Sequence, residues 1–222
     1  MHISKLAATL CLSCSGFLST FGASAQTTVS LVAGWNLVGN GYSGSLDVAT
    51  TFNSMQTTVW KWNPAVATWG FYTSLQADSG AAYAVSKGYN FLTTINGGEG
   101  FWVHARTDFT IQLPVGSAVS SASFLPSLPS GWSLISIGDN KTPSQFNAAL
   151  SITSPPQGVI PINITTLWAW DGTQYRWYFY APSLEAQGGT VLTDYIAGKG
   201  YLDFTSANKT LGTATGFWVN RP

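Results

Sequence analysis

Five segments of this chain recur in the same order, and that repetition limits its fold more than any other feature does. SLVAGWNLVGNG from Ser30 returns as SLPSGWSLISIG from Ser127, and TFNSM from Thr51 returns as QFNAA from Gln145. The long stretch TTVWKWNPAVATWGFYTSL from Thr57 returns as TTLWAWDGTQYRWYFYAPSL from Thr165. SKGY at Ser86 pairs with GKGY at Gly198, and GFWV begins at both Gly100 and Gly216. All ten tryptophans fall into equivalent pairs: Trp35/Trp132, Trp60/Trp168, Trp62/Trp170, Trp69/Trp177 and Trp102/Trp218. Tyr72/Tyr180, Tyr83/Tyr195 and Tyr89/Tyr201 pair in the same way. A duplicated chain of this kind folds as two like modules.

The first module spans residues 26–114 and closes on the alternating segment FTIQLP, residues 109–114. Residues 115–122, VGSAVSSA, read as a small-residue linker. The second module spans residues 123–222 and stops at FWVNRP, with no counterpart of FTIQLP. It also carries SITSPPQGVIPIN, a proline-bearing insertion that reads as a surface loop. Within TTVWKWN, Thr58, Trp60 and Trp62 share one strand face, while Val59 and Lys61 share the other. Asn63-Pro64 and Asp171-Gly172 are turn signals between hairpin arms. One short helix per module is expected. TPSQFNAAL has Thr142 as N-cap, Pro143 at the first helical position and Gln145 closing a capping box; SLDVATTF from Ser45 is its weaker partner. The predicted fold class is all-β, with two tandem small β-sandwich or partly open barrel modules.

Residues 1–25 have the form of a secretory signal: a basic start, an apolar stretch and Ala23-Ser24-Ala25 before the expected cleavage. The chain is therefore expected to be exported, to the periplasm or the outside, with no membrane insertion after cleavage. Both cysteines, Cys11 and Cys14, lie in that signal, so no disulfide is expected in the mature chain. Without Lys5 there remain eight basic residues against nine acidic ones, and no basic run. Nucleic acid is thus not an expected partner.

Positions kept aromatic in both copies serve what the copies share. On that argument the Trp60/Trp62 face, the Trp69/Phe71 face and their counterparts are predicted core, because large aromatics are mostly buried. Unmatched aromatics are then the candidates for recognition. Tyr178 stands where the first copy has Gly70, and Tyr175 stands where it has Ala67. Tyr178 and Tyr180 project from the face opposite Trp177, and with Tyr175, Arg176 and the unmatched Tyr42 they have two readings: a ligand platform, or side chains packed under the proline-bearing insertion or against the other module. Tyrosines offer a flat apolar face and a hydroxyl together, which suits a sugar ring or a protein surface.

Catalytic signals are sparse. His104 is the sole histidine after the signal, its counterpart is Asn220, and no nucleophile elbow, P-loop or dinucleotide fingerprint is present. One histidine without cysteines makes no usual transition-metal site, and the EF-hand spacing is missing. No catalytic residue, cofactor or metal is therefore assigned.

The anchors GWNLVG, VWKWNPAVATW and GFWV, with GWSLIS, LWAWDGTQYRW and GFWV, resemble a tandem β repeat of bacterial secreted and surface proteins. In that repeat a Gly-Trp-Asn-Leu strand opens the unit and a Gly-Phe-Trp-Val strand nearly closes it; Ser133, standing where the first copy has Asn36, departs from it. The resemblance implies an extracellular, non-catalytic role. The leading expectation is a secreted or surface binding and adhesion protein whose partner is a polysaccharide or a surface protein. A second reading is a matrix, surface-layer or filament subunit, self-associating through a sheet edge that module 2 leaves open for want of FTIQLP. A third is an exported hydrolase built on paired carboxylates.

Overall fold

The computed structural model describes residues 26–53 and 55–222. The expected signal and both cysteines lie outside the described residues. The fold is all-β, with two like sheet modules and no closed barrel. Module 1 contains β1 (Thr28–Leu31), β2 (Gly34–Gly39), β3 (Leu46–Asp47), β4 (Thr57–Asn63), β5 (Thr68–Thr73), β6 (Asn90–Phe91), β7 (Thr94–Ile95), β8 (Gly100–Ala105) and β9 (Phe109–Gln112). Its helices are α1 (Val48–Phe52) and α2 (Ala81–Ser86). Module 2 contains β10 (Gly131–Ile135), β11 (Thr166–Asp171), β12 (Arg176–Tyr180), β13 (Leu202–Asp203) and β14 (Phe217–Arg221), with α3 (Pro143–Ala149), α4 (Pro182–Glu185) and α5 (Val191–Lys199).

Each module is built on one five-stranded sheet. The orders are β2-β8-β4-β5-β6 and β10-β14-β11-β12-β13, so equivalent strands occupy equivalent places. The hairpin pairs Trp62 with Trp69 and Trp60 with Phe71; its copy pairs Trp170 with Trp177 and Trp168 with Phe179. The last strand of each sheet is parallel to its neighbour, reached through α2 or through α4 and α5. Helix α3 has the expected capping box, with Thr142 and Gln145 bonding reciprocally and Pro143 in the first turn. Helices α2, α4 and α5 go beyond the expected one per module. Tyr83 and Tyr195 hold α2 and α5 by packing on Phe71 and Phe179 at 5.0 and 5.2 Å between ring centroids.

The core of each module lies on the sheet face opposite the tryptophans. In module 1, Val59, Tyr72, Phe101 and Val103 meet Phe52, Leu31 and Ile111 from α1 and the separate β1–β9 ribbon. In module 2, Leu167, Ala169, Tyr178, Tyr180, Phe217 and Val219 meet Phe146 of α3 and Leu128. A short 3-10 helix, residues Ser121–Phe124, precedes β10, and its Phe124 packs against this core. Strand β9 pairs with β1 and not with a five-stranded sheet, so the lack of FTIQLP opens no new edge in the sheet of module 2. That removes the motive for strand addition at that edge.

The two modules are stitched by a pseudo-twofold set of contacts. Gly39 N–H donates to Ala214 O at 3.0 Å, and its counterpart Ser136 N–H donates to Gly98 O at 2.9 Å. Val38 bridges Thr215, as Ile135 bridges Glu99. The glycine that opens each GFWV is explained here: a Cβ on Gly216 would lie 2.2 Å from Val38 O, and one on Gly100 would lie 2.8 Å from Ile135 O. Residues 115–122, expected as a linker, are tied to both halves. Ser43 N–H donates to Ser117 O, Val119 N–H to Gly41 O, and Gly138 N–H to Val119 O, at 2.8, 2.8 and 2.7 Å.

Candidate functional site

The predicted burial of the tryptophans is overturned. None of the ten belongs to the buried core; eight are half-buried, and Trp35 and Trp132 are 42% and 45% exposed. Strand alternation put Trp60 and Trp62 on one face, as expected, but that face is turned to the other module and to water. The other face carries enough apolar volume in Val59, Tyr72, Phe101 and Val103 to close a core without any indole. Phe71 and Phe179 are buried on the tryptophan face, where α2 and α5 cover them.

The indoles join the halves. Trp62 Nε1–H donates to Trp132 O at 3.0 Å, and its counterpart Trp170 donates to Trp35 O at 2.9 Å. Trp218 packs on Trp62 and Trp69 with centroids 6.4 and 5.9 Å apart; Trp102 packs on Trp170 and Trp177 at 6.2 and 5.7 Å. The Trp69–Trp218 and Trp102–Trp177 contacts are edge-to-face, the arrangement that aromatic quadrupoles favour, worth about 0.5–1.5 kcal/mol each beyond area burial.

Two clefts open between the rings. The first, about 450 Å³, is walled by Trp35, Trp60, Trp69 and Trp102 of module 1 and Trp170 and Trp177 of module 2. The second, about 420 Å³, is walled by Trp132, Trp168, Trp177 and Trp218, with Tyr201. Its four indoles are the counterparts of the first four, so the clefts are copies of one design. Neither wall carries a charged side chain. Trp60 Nε1–H donates to Thr58 Oγ1 at 3.1 Å, while the Nε1–H of Trp168 is buried without a partner among the described residues. His104 stacks edge-on against Trp35 at 4.8 Å.

The five tyrosine and arginine candidates do not assemble into a platform. Tyr178 and Tyr180 do point away from Trp177, but into the core, at 6% and 4% exposed. Burial pushes both phenols above the ordinary tyrosine value, and for Tyr180 the bond to Glu185 adds to it. Arg176 donates from Nε and Nη2 to Gly200 O and from Nη2 to Tyr201 O, fastening β12 to the turn after α5. Tyr175 reaches across the junction to Ala33 O at 3.2 Å. Tyr42 is half-buried against the core of module 1 and shares a hydrogen bond of 2.6 Å with Thr27. None of the five lines an indole cleft.

A signal for the tryptophan face was present in the strands. Both faces of TTLWAW and GFWV are largely apolar, which marks a sheet covered on both sides. One side is the module's own core and the other is the second module. No protein-family model, curated protein or solved structure matches this chain.

Proposed function

We propose that this chain is a non-catalytic, exported binding protein whose paired indole clefts hold sugar rings of a polysaccharide. The observation that carries the reading is the pair of clefts: open, uncharged and walled almost wholly by indole, on a chain whose acidic and basic residues balance. Contiguous exposed apolar surface on a soluble domain marks an interaction site. Indole faces accept the C–H faces of a pyranose. No carboxylate stands in either wall to compensate a cationic ligand.

Depletion of the protein from solution by insoluble neutral polysaccharides tests the reading, with tryptophan fluorescence as a second readout. Trp35→Ala strips one wall of the first cleft and Trp132→Ala one wall of the second. Both rings are well exposed, and their carbonyls still accept the cross-module bonds. Each single variant is expected to weaken retention about tenfold, equivalent to about 1.4 kcal/mol, and the double variant to abolish it. Retention by the double variant equal to that of the unaltered protein would sink the proposal.

A further inference from the structure

Module 1 has a cleft that module 2 has filled. Across the sheet of module 1, Lys61, Gly70 and Asn90 form one row of paired positions; the same row in module 2 is Ala169, Tyr178 and Leu202. The Tyr178 ring occupies its side of the sheet, packed on Phe204 at 5.1 Å with the Lys209 ammonium 5.6 Å from its centroid. Where Gly70 replaces it, a cleft of about 240 Å³ remains, lined by Lys61, Asn63, Asn90, Phe91, Thr94 and Asn96 among others. This is a polar site, unlike the indole clefts. The Lys61 ammonium donates to Glu99 at 2.9 Å and to Thr94 O at 3.2 Å, which neutralises its charge and leaves one of its three N–H groups unused. Oδ1 of Asn63 accepts from Ala65 N–H, and Oδ1 of Asn96 accepts from Ser45. The side-chain NH₂ groups of Asn63, Asn90 and Asn96 have no partner among the described residues.

We infer that the cleft over Gly70 is a second ligand site, which takes one neutral polyhydroxylated ring, a single uncharged sugar residue. Its volume lies below the roughly 300–1,000 Å³ of sites for drug-sized ligands, so one ring is the limit. Amide donors, one ammonium proton and hydroxyls match a ligand rich in hydroxyl groups, and the Lys61–Glu99 pair leaves no net charge to draw an ion. The site shares no wall with the indole clefts and does not depend on them.

The test is a titration of the ¹⁵N-labelled protein with methyl glycosides of glucose, mannose and galactose, following the side-chain NH₂ signals of Asn63, Asn90 and Asn96. Those signals should shift in the unaltered protein and equally in the Trp35→Ala/Trp132→Ala double variant, whether or not that variant still holds polysaccharide. They should stay still in Gly70→Tyr, which copies module 2. A Cβ at position 70 meets nothing closer than Leu92 Cδ1 at 3.4 Å, so the backbone there has room for a side chain. Asn90→Ala, which should weaken the response, decides the matter if Gly70→Tyr does not fold. No shift with any of the three glycosides, or an undiminished shift in Gly70→Tyr, overturns the inference.

Discussion

At the scale of single residues, equivalent positions in the two modules do different work, and their differences can be measured. Asn36 is buried in β2; its Nδ2 donates to Val32 O and Gly34 O, and its Oδ1 accepts from Val32 N–H at 2.9 Å. Ser133 takes this place in module 2, and its hydroxyl is buried with no partner among the described residues. Asn36→Ala should cost about 2–3 kcal/mol, since buried groups lose their partners, whereas Ser133→Ala should change stability by less than about 0.5 kcal/mol. Urea unfolding of the two variants checks the contrast, and equal losses would contradict the assignment. Tyr72, Tyr178 and Tyr180 supply a second residue-level test. Burial is the first cause that raises each phenol, so the folded state holds protons that the unfolded chain releases above pH about 10. Stability from these groups is complete below that pH and is lost as pH climbs toward their folded values. The urea midpoint should be level up to about pH 9 and fall beyond pH about 10. Tyr180→Phe should flatten the alkaline fall, and an unchanged slope in that variant would refute this cause.

At the scale of elements, the hairpin shows what was legible in the sequence and what was not. Its turns, its strand pairing and the parity of its side chains follow from TTVWKWN and its copy, as does the capping box of α3. Parity says which residues share a face, but it cannot say which face is wet when both are apolar. Val59 and Tyr72 on one side and Trp60 and Trp69 on the other are both hydrophobic enough for a core. The choice was made by what lies beyond the sheet: β1, β9 and α1 on the Val59 side, the second module on the indole side. Matching between copies serves the fold of each half, but a pseudo-twofold junction also requires the same residue from each half. The turn itself carries a prediction. Ala67 and its counterpart Tyr175 have φ of 49° and 52°, the left-handed region, which costs a residue with a Cβ roughly 1–2 kcal/mol. Glycine gives back part of that gain through its freer unfolded chain. Ala67→Gly should therefore raise stability by about 0.5–1 kcal/mol, seen as a higher urea midpoint. Tyr175→Gly should not, because it forfeits the contact with Ala33 O.

At the scale of the whole molecule, the junction has the form of an isologous dimer interface caught within one chain. Trp62 meets the carbonyl of Trp132 as Trp170 meets that of Trp35, and the glycines of both GFWV segments leave room for the opposite backbone. In a twofold contact the same patch serves both partners, so a module that keeps the patch should accept a second copy of itself. Module 1 has its own core and the full set of junction indoles: Trp35, Trp62, Trp69 and Trp102. Residues 26–114 produced alone should therefore form a symmetric dimer, because a monomer would leave a large aromatic patch in water. Sedimentation equilibrium reads the mass directly, and Trp62→Ala should shift it toward the monomer by removing both the ring contact and the cross-module hydrogen bond. The same logic makes the intact chain unfold as one cooperative unit, with calorimetric and van't Hoff enthalpies in agreement. A folded, strictly monomeric module 1, or two separate melting transitions in the full chain, would show that the indoles do not bind the halves together. Open clefts would then be their chief use.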